Sequence, residues 1–168
     1  MMQTHLCRMA RYNRWANGRL YAACAGLDDE AYLRERGMFF GSIHGTLNHI
    51  LVGDRHWLAR IEGSPSPDLR LDDRPYDTLE ELRAAREVED ERIIALTART
   101  REEDLDRIVE YRRATRPDVQ RTPLDVCWMH LFNHQTHHRG QVHDQLSQAG
   151  VEPPPLDLIY FHRREEPS

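Results

Sequence analysis

Residues 122–150, TPLDVCWMHLFNHQTHHRGQVHDQLSQAG, decide the fold. Thr122 followed by Pro123 is typical of a helix start, with Thr122 as the N-cap and Pro123 as the first helical residue, and Gly150 is typical of a helix end. The segment therefore predicts a long helix that runs to about Gln148. Steps of three and four residues define one stripe on it, apolar at first and then rich in imidazoles: Leu124, Cys127, Leu131, His134, His138, Gln141 and Gln145.

Three other segments carry apolar residues at helical spacing. The first, residues 5–25, ends at Gly26 and is followed by an Asp-rich connection. The second begins at the N-cap Ser42 and is broken by residues 63–67, GSPSP. A third follows the polar loop 64–77 and begins at the cap Thr78. We expect an all-α, four-helix bundle in which this loop is a long crossover connection.

Two smaller features complete the expected single domain, residues 1–168. Residues 105–122 predict a short hairpin or an irregular insert before the last helix. After three consecutive prolines, the apolar segment 156–161 is expected to pack back on the bundle.

Composition excludes several classes of function. All 23 basic residues are arginines, which excludes lysine Schiff-base chemistry and a P-loop lysine. The net charge of −5 is spread over mixed signs, so we expect no nucleic-acid partner. No apolar run is long enough for a membrane span, and the charged N-terminus is unlike a signal peptide. Cys7, Cys24 and Cys127 have no C-x-x-C spacing and are expected to be reduced core residues of a cytoplasmic protein.

The histidines are concentrated in two of the predicted helices, His44, His49 and His56 in one and His130, His134, His137, His138 and His143 in the other. His134 and His138 are one turn apart, a spacing that suits two nitrogen ligands of one divalent metal ion. The pair His130 and His134 has the same spacing, but His138 continues the stripe. A third ligand is expected from the facing helix, where His49 and His56 compete. His49 lies deeper in that helix and is preferred.

For several residues near these histidines, the sequence allows either a functional role or a role in packing. Gly45 and Gly53 flank His49 by one turn, which indicates either close packing or an open cavity. Asp54 is expected on a solvated face, although it could orient a ligand imidazole or act as a base. Gln135 stands where an H-E-x-x-H protease needs glutamate, which excludes that class. Cys127 lies in an apolar stretch and is expected in the core rather than as a nucleophile.

Four runs resemble the DinB family of bacterial proteins, named after the damage-induced expression of one member: ARYNRWANGRLY, GSIHGTLNHILVGDRHWLARI, NHQTHHRGQV and DLIYFHR. The resemblance covers nearly the whole chain. It implies a four-helix bundle with a long crossover, one divalent metal ion bound by three histidines, and a homodimer. Transferred onto this sequence, the metal ligands are His49, His134 and His138.

The resemblance implies less about the reaction, because many members have no assigned activity. The broader superfamily includes bacillithiol S-transferases and a mycothiol-dependent maleylpyruvate isomerase. The first hypothesis is therefore a metal-dependent thiol S-transferase that takes a small thiol and an electrophile, with Arg139 and Gln141 positioning ligands. A non-catalytic metal-binding homodimer and a metal-water hydrolase are the alternatives. Nickel or zinc is the expected metal, with iron and manganese as further candidates. An enzyme should also have a pocket beside Gly45 and Gly53.

Overall fold

A computed structural model describes residues 1–113 and 116–165, and shows a mostly helical chain with one small antiparallel sheet. Thr115, which falls in the predicted insert, lies outside the described residues. The elements in chain order are α1 (Met2–Cys24), α2 (Asp29–Leu33), α3 (Ile43–Glu62), α4 (Leu79–Arg99), a 3₁₀ turn (Glu102–Asp104), β1 (Ile108–Arg113), β2 (Arg116–Pro123), α5 (Leu124–Gln148) and α6 (Leu158–Glu165).

Four long helices, α1, α3, α4 and α5, make up the body of the fold. Helices α1 and α3 each pack against both α4 and α5. A polar connection, residues 64–77, joins α3 to α4, as predicted. Among the described residues, no helix is both long and apolar enough to cross a membrane.

Local signals place three of the helix boundaries where the sequence predicts them. The Ser42 hydroxyl accepts a hydrogen bond from the Gly45 amide at the start of α3, and Gly63 ends that helix in the left-handed conformation with φ of +70°. Thr78 and Glu81 form a reciprocal capping box at the start of α4.

The predicted start of α5 is wrong by one residue. Thr122 is not an N-cap, because it is paired with Val109 across the two-stranded sheet. Pro123 has a ψ of 146° and is the N-cap itself, so the helix begins at Leu124. The predicted insert is the β1–β2 hairpin, and its second strand runs directly into α5.

Two short helices differ from or refine the sequence prediction. The Asp-rich connection after α1 contains α2, whose N-cap Asp28 accepts a hydrogen bond from the Ala31 amide. At the other end, α6 packs on α1 through Phe161, whose ring lies 6.0 Å from Tyr12 and 5.8 Å from Trp15. Leu156 also holds that apolar segment, because its carbonyl accepts a hydrogen bond from the Tyr12 hydroxyl at 2.8 Å, whereas Leu158, Ile159 and Tyr160 are exposed.

Two large apolar clusters fill most of the interior, beside a smaller one formed by Tyr12, Ala16 and Phe161. The first contains Leu6, Leu58, Ile93 and Leu131, and the second contains Leu20, Leu51, Leu82 and Leu146. Buried cysteines support the predicted core role in part, because Cys24 and Cys127 are buried whereas Cys7 is only half buried.

A layer of buried polar side chains separates the two apolar clusters. In each long helix its members lie between residues of one cluster and residues of the other. We call this set the polar layer, and it consists of Asn13, Asn17, Asp54, Arg86, Asp90, Gln135 and Arg139.

Asp54 belongs to this layer, so its predicted position on a solvated face is wrong. It is fully buried, and its Oδ2 atom accepts hydrogen bonds from Arg86 Nη1, at 2.5 Å, and from Gln135. Burial raises the pKa of Asp54 to about 7, while the Arg86 charge opposes that rise. The side chain faces inward because Arg86, from another helix, compensates a carboxylate that would otherwise be costly to bury.

Candidate metal site

Three imidazoles meet where α3 packs against α5. His49 comes from α3, and His134 and His138 come from α5. One ring nitrogen from each histidine lies within 4.8 Å of the corresponding nitrogens of the other two. The separation between His49 Nε2 and His134 Nε2 is 3.1 Å. The structure thus brings together the three residues that the resemblance implies.

Two hydrogen bonds orient the rings of this cluster. His49 Nδ1 lies 2.8 Å from the backbone carbonyl of Leu71, which can only accept, so Nδ1 carries the proton and Nε2 has a free lone pair. His138 Nδ1 lies 2.8 Å from Gln141 Oε1, and the same logic applies where the amide oxygen accepts. A carbonyl behind a ligand imidazole is the usual outer partner in metal sites.

His134 is the histidine whose hydrogen bonding is incomplete. Its Nδ1 atom is shielded from solvent and has no hydrogen-bond partner among the described residues. Its Nε2 atom faces His49 Nε2, which has a lone pair rather than a proton. Imidazole nitrogens bound tetrahedrally to zinc at roughly 2.0–2.1 Å are about 3.3 Å apart, close to the separation found here. The donor set and its spacing therefore fit a divalent cation.

Burial keeps these imidazoles neutral. Loss of solvation lowers the pKa of His49 to about 4 and that of His134 to about 3, and each is lowered further by its histidine neighbours. The pKa of His138 is lowered for the same main reason. A neutral imidazole has the free lone pair that metal coordination requires.

Phe40 covers one side of the cluster. Its ring is stacked on His49, with centroids 3.6 Å apart, and is edge-on to His138 at 5.6 Å. The turn that carries it is bounded by Gly37 and Gly41, which have φ of +72° and +81°. Sequence reasoning did not identify Phe40 or the Leu71 carbonyl, because both come from connections between helices and neither residue type signals a metal site.

The two glycines beside His49 allow close packing. A Cβ atom at Gly45 would lie 2.1 Å from the backbone oxygen of Phe40. A Cβ atom at Gly53 would lie 3.0 Å from Cε1 of His134. Gly45 therefore admits the turn that covers the site, and Gly53 admits a ligand ring.

The remaining polar candidates are divided between the site and the protein interior. Gln141 contacts His138 as expected, but Arg139 donates to Asn13, Asn17 and Gln135 in the polar layer. The rings of His130 and His137 pack on His134 and His138, with centroids 5.8 and 4.8 Å apart. The other partners of the remaining histidines of α3 and α5 are Tyr32 for His44, Leu69 for His56, Trp57 for His130, Gln141 for His137 and Pro154 for His143.

Comparison with known proteins places the chain in a family. The model of the DinB family matches residues 1–168. Protein DinB of Bacillus subtilis (strain 168) is 27% identical over 169 residues, which cover 95% of each chain. A crystal structure of a DinB-like protein from Bacillus cereus ATCC 10987 superposes with a TM-score of 0.61 at 22% identity, over 83% of this chain and 89% of that one.

This chain therefore belongs to the DinB family. The likeness to the Bacillus cereus structure concerns the fold, in which the four long helices bring His49 to His134 and His138.

Proposed function

We propose that this protein is a metal-dependent enzyme of the thiol S-transferase type, with one divalent ion held by His49, His134 and His138. The observation that carries the proposal is the composition of the cluster. Three neutral imidazoles converge, and the group contains no fourth ligand among the described residues. Catalytic sites typically have three protein ligands and an open position, whereas structural sites are closed by four. Nickel or zinc suits this donor set, with iron and manganese as further candidates.

A divalent ion in such a site supplies a position at which a bound thiol or water loses its proton near neutral pH. The protein's own contribution is orientation and electrostatics. Leu71 and Gln141 fix two of the rings through hydrogen bonds to Nδ1. Because all three ligands are uncharged, they leave the full charge of the ion available to stabilise an anion.

Apolar surface beside the cluster favours an apolar electrophile as the second substrate. Phe40 covers His49, and the adjacent Phe39 is 89% exposed with its ring 4.9 Å from that of Phe40. Leu71, whose carbonyl orients His49, is 51% exposed. These side chains offer contact area to the apolar part of a substrate whose reacting carbon lies at the cluster.

The hydrolase alternative is less well supported. Hydrolysis benefits from a general base near the attacking water. Asp54, the carboxylate considered for that role, is buried and accepts hydrogen bonds from Arg86 and Gln135. Within the described residues, the cluster consists of imidazoles alone.

A non-catalytic metal-binding homodimer is the second alternative, in which the ion fastens α3 to α5. The two functions predict different effects when one metal ligand is removed. For an enzyme, His49→Ala abolishes turnover while most of the fold remains. For a structural site, the same variant lowers the melting temperature sharply, because metal binding contributes directly to folding.

The test combines metal analysis with an assay. Protein purified without a His-tag is analysed for its metal content, loaded with that metal and screened with small thiols and apolar electrophiles. We expect one ion per chain and conjugate formation that His49→Ala abolishes, whereas His143→Ala, whose ring contacts the Pro154 carbonyl, retains it. One ion per chain without any conjugation would favour the structural alternative, and no bound metal would overturn both.

Three further features belong to the same proposal. The four long helices act as a four-helix bundle, supported by the packing of α1 and α3 on both α4 and α5. The protein works as a homodimer in the cytoplasm, where its three free cysteines stay reduced. Its partners are small molecules rather than nucleic acid or membrane, consistent with the mixed charge of the chain.

A further inference from the structure

A cavity lies between α1 and α4, whereas the histidine cluster is formed by α3 and α5. Its volume is about 420 Å³, within the range of small-molecule sites. Asn17, Gly18 and Tyr21 line it from α1, and Arg86 and Asp90 line it from α4. The cavity therefore reaches the edge of the polar layer.

Two buried donor groups in the residues of the cavity wall have no hydrogen-bond partner among the described residues. Arg86 and Tyr21 are each only 2% exposed. Arg86 Nη2 and the Tyr21 hydroxyl make no hydrogen bond within the described part of the chain. A buried polar group without a partner costs about 1–3 kcal/mol, so both groups favour an acceptor atom placed in the cavity.

The charges around Arg86 determine what kind of acceptor fits. Arg86 Nη1 lies 2.5 Å from Asp54, and its Nε atom lies 3.2 Å from Asp90. Two carboxylates already balance this guanidinium, so a third carboxylate or a phosphate would be repelled. A neutral oxygen accepts the same hydrogen bond without that repulsion.

The rim of the cavity carries further charges that are already paired. Arg14 lies 2.7 Å from Glu91, and Arg83 lies 3.0 Å from Glu87, in both cases across the surface of the helices. The charges of these pairs cancel, so the entrance does not select for an ion of either sign.

Gly18 leaves one wall of the cavity open. A Cβ atom at this position would meet nothing within 4 Å. Glycine inside a helix is less favourable than alanine by about 1 kcal/mol, and no close backbone contact at Gly18 explains it. The open space above Gly18 is part of the volume that a ligand would occupy.

We propose that the α1–α4 cavity binds a small uncharged molecule through a carbonyl or amide oxygen, which accepts hydrogen bonds from Arg86 Nη2 and the Tyr21 hydroxyl. The body of the ligand lies against Gly18, the Tyr21 ring and the alkyl parts of the rim arginines. This site is separate from the histidine cluster and does not depend on the function proposed for it.

Three probes of nearly equal shape test the proposal on the full-length protein: benzamide, benzoate and benzamidinium. Backbone amide shifts are followed by ¹H–¹⁵N NMR during titration. We expect saturable shifts at Asn17 and Gly18 with benzamide, and binding at least tenfold weaker for benzoate and for benzamidinium. Tighter binding of either charged probe would overturn the assignment to an uncharged ligand.

Three variants locate the binding. Gly18→Leu fills the cavity and should weaken benzamide binding at least tenfold, while Gly18→Ala, the matched control, should change it less than twofold. Tyr21→Phe removes one donor and should weaken it about fivefold. Shifts that do not saturate would show a cavity filled by water only, and shifts that persist in Gly18→Leu would show that benzamide binds elsewhere. Either result would overturn the proposal.

Discussion

The Nε2 atoms of His49 and His134 lie 3.1 Å apart, although 85 residues separate them in the chain. His49 donates from Nδ1 to the Leu71 carbonyl, so its Nε2 atom has no proton to share. Two ring nitrogens at this distance are stable together only when a proton or a cation lies between them. Burial lowers the pKa of both rings, so both are neutral near neutral pH, and two arrangements fit this contact: a hydrogen bond donated by a neutral His134 Nε2–H group, and the shared metal ion proposed above.

Replacement of Gln141 should weaken metal binding without removing a ligand. Gln141 Oε1 lies 2.8 Å from His138 Nδ1 and fixes that ring. Loss of such an outer partner typically lowers metal affinity 10- to 100-fold. We expect Gln141→Leu to lower affinity by that factor in a competition titration with a chromogenic chelator.

Gln148→Leu provides the control for this effect. Gln148 is exposed in the same helix, and its amide donates to Asp144 rather than to a histidine. The Gln148→Leu variant should therefore bind metal with the affinity of the parent protein. Equal affinity for Gln141→Leu and the parent protein would show that this hydrogen bond does not orient a ligand.

The stability of the metal-free protein should fall as the pH is lowered from about 6.5 to about 4. An unfolded histidine has a pKa of about 6.5, whereas burial lowers the pKa of folded His49 to about 4 and that of His134 to about 3. Between these values the unfolded chain binds more protons, so acidification favours unfolding. Above pH 6.5 both states are neutral and this contribution is fully present.

Urea unfolding of chelator-treated protein across this pH range measures the effect. The variant His134→Gln should show a shallower decline, because one of the depressed groups is gone. A decline of equal slope in both proteins would mean that the His134 ring is not buried in its neutral form.

Substitution of Asp54 should destabilise the fold strongly. Asp54 and Arg86 are both buried, and their atoms lie 2.5 Å apart. Removing one partner of a buried ion pair costs about 3–5 kcal/mol, because the other charge remains uncompensated. We therefore expect Asp54→Ala to lower the free energy of unfolding by this amount in urea titrations.

Asp72→Ala is the surface control for this substitution. Its side chain is 62% exposed and pairs with Arg70 at 3.0 Å, an arrangement that typically contributes about 0–1 kcal/mol. A similar small loss for Asp54→Ala would indicate that water reaches the polar layer.

A side chain at Gly45 should disturb the cover of the metal site. Its Cβ atom would lie 2.1 Å from the backbone oxygen of Phe40, so the turn that places Phe40 on His49 must move. Overpacking of this kind typically lowers the free energy of unfolding by about 1–3 kcal/mol. We expect Gly45→Ala to lower the melting temperature measured by circular dichroism.

Gly140→Ala is the matched control, because a Cβ atom there would meet nothing within 4 Å. Replacing glycine with alanine at an uncrowded helical position raises the free energy of unfolding by up to about 1 kcal/mol. The Gly140→Ala variant should therefore be at least as stable as the parent protein. Equal behaviour of the two variants would contradict the close contact at Gly45.

Much of the helical frame could be predicted from local sequence signals. The caps Ser42 and Thr78 and the helix end at Gly63 are recognisable because each is a short-range interaction. The start of α5 was mispredicted because Thr122 pairs with Val109 instead of capping the helix. No pattern within one segment reveals that a strand runs into a helix.

The site was predictable only in part for the same reason. Helical spacing brings His134 and His138 together, but it does not choose between His49 and His56 or between His130 and His138. Phe40 and the Leu71 carbonyl come from connections whose path depends on tertiary packing. Asp54 was expected on the surface because its partner Arg86 is 32 residues away.

X-ray absorption spectroscopy of the metal-loaded protein measures the ligands of the ion itself. We expect three imidazole nitrogens at roughly 2.0–2.1 Å for zinc, together with an oxygen that a small thiol replaces with sulfur. The variant His49→Ala should lose one nitrogen from this set. A parent-protein spectrum with four protein ligands and no exchangeable position, or one unchanged in His49→Ala, would contradict the account.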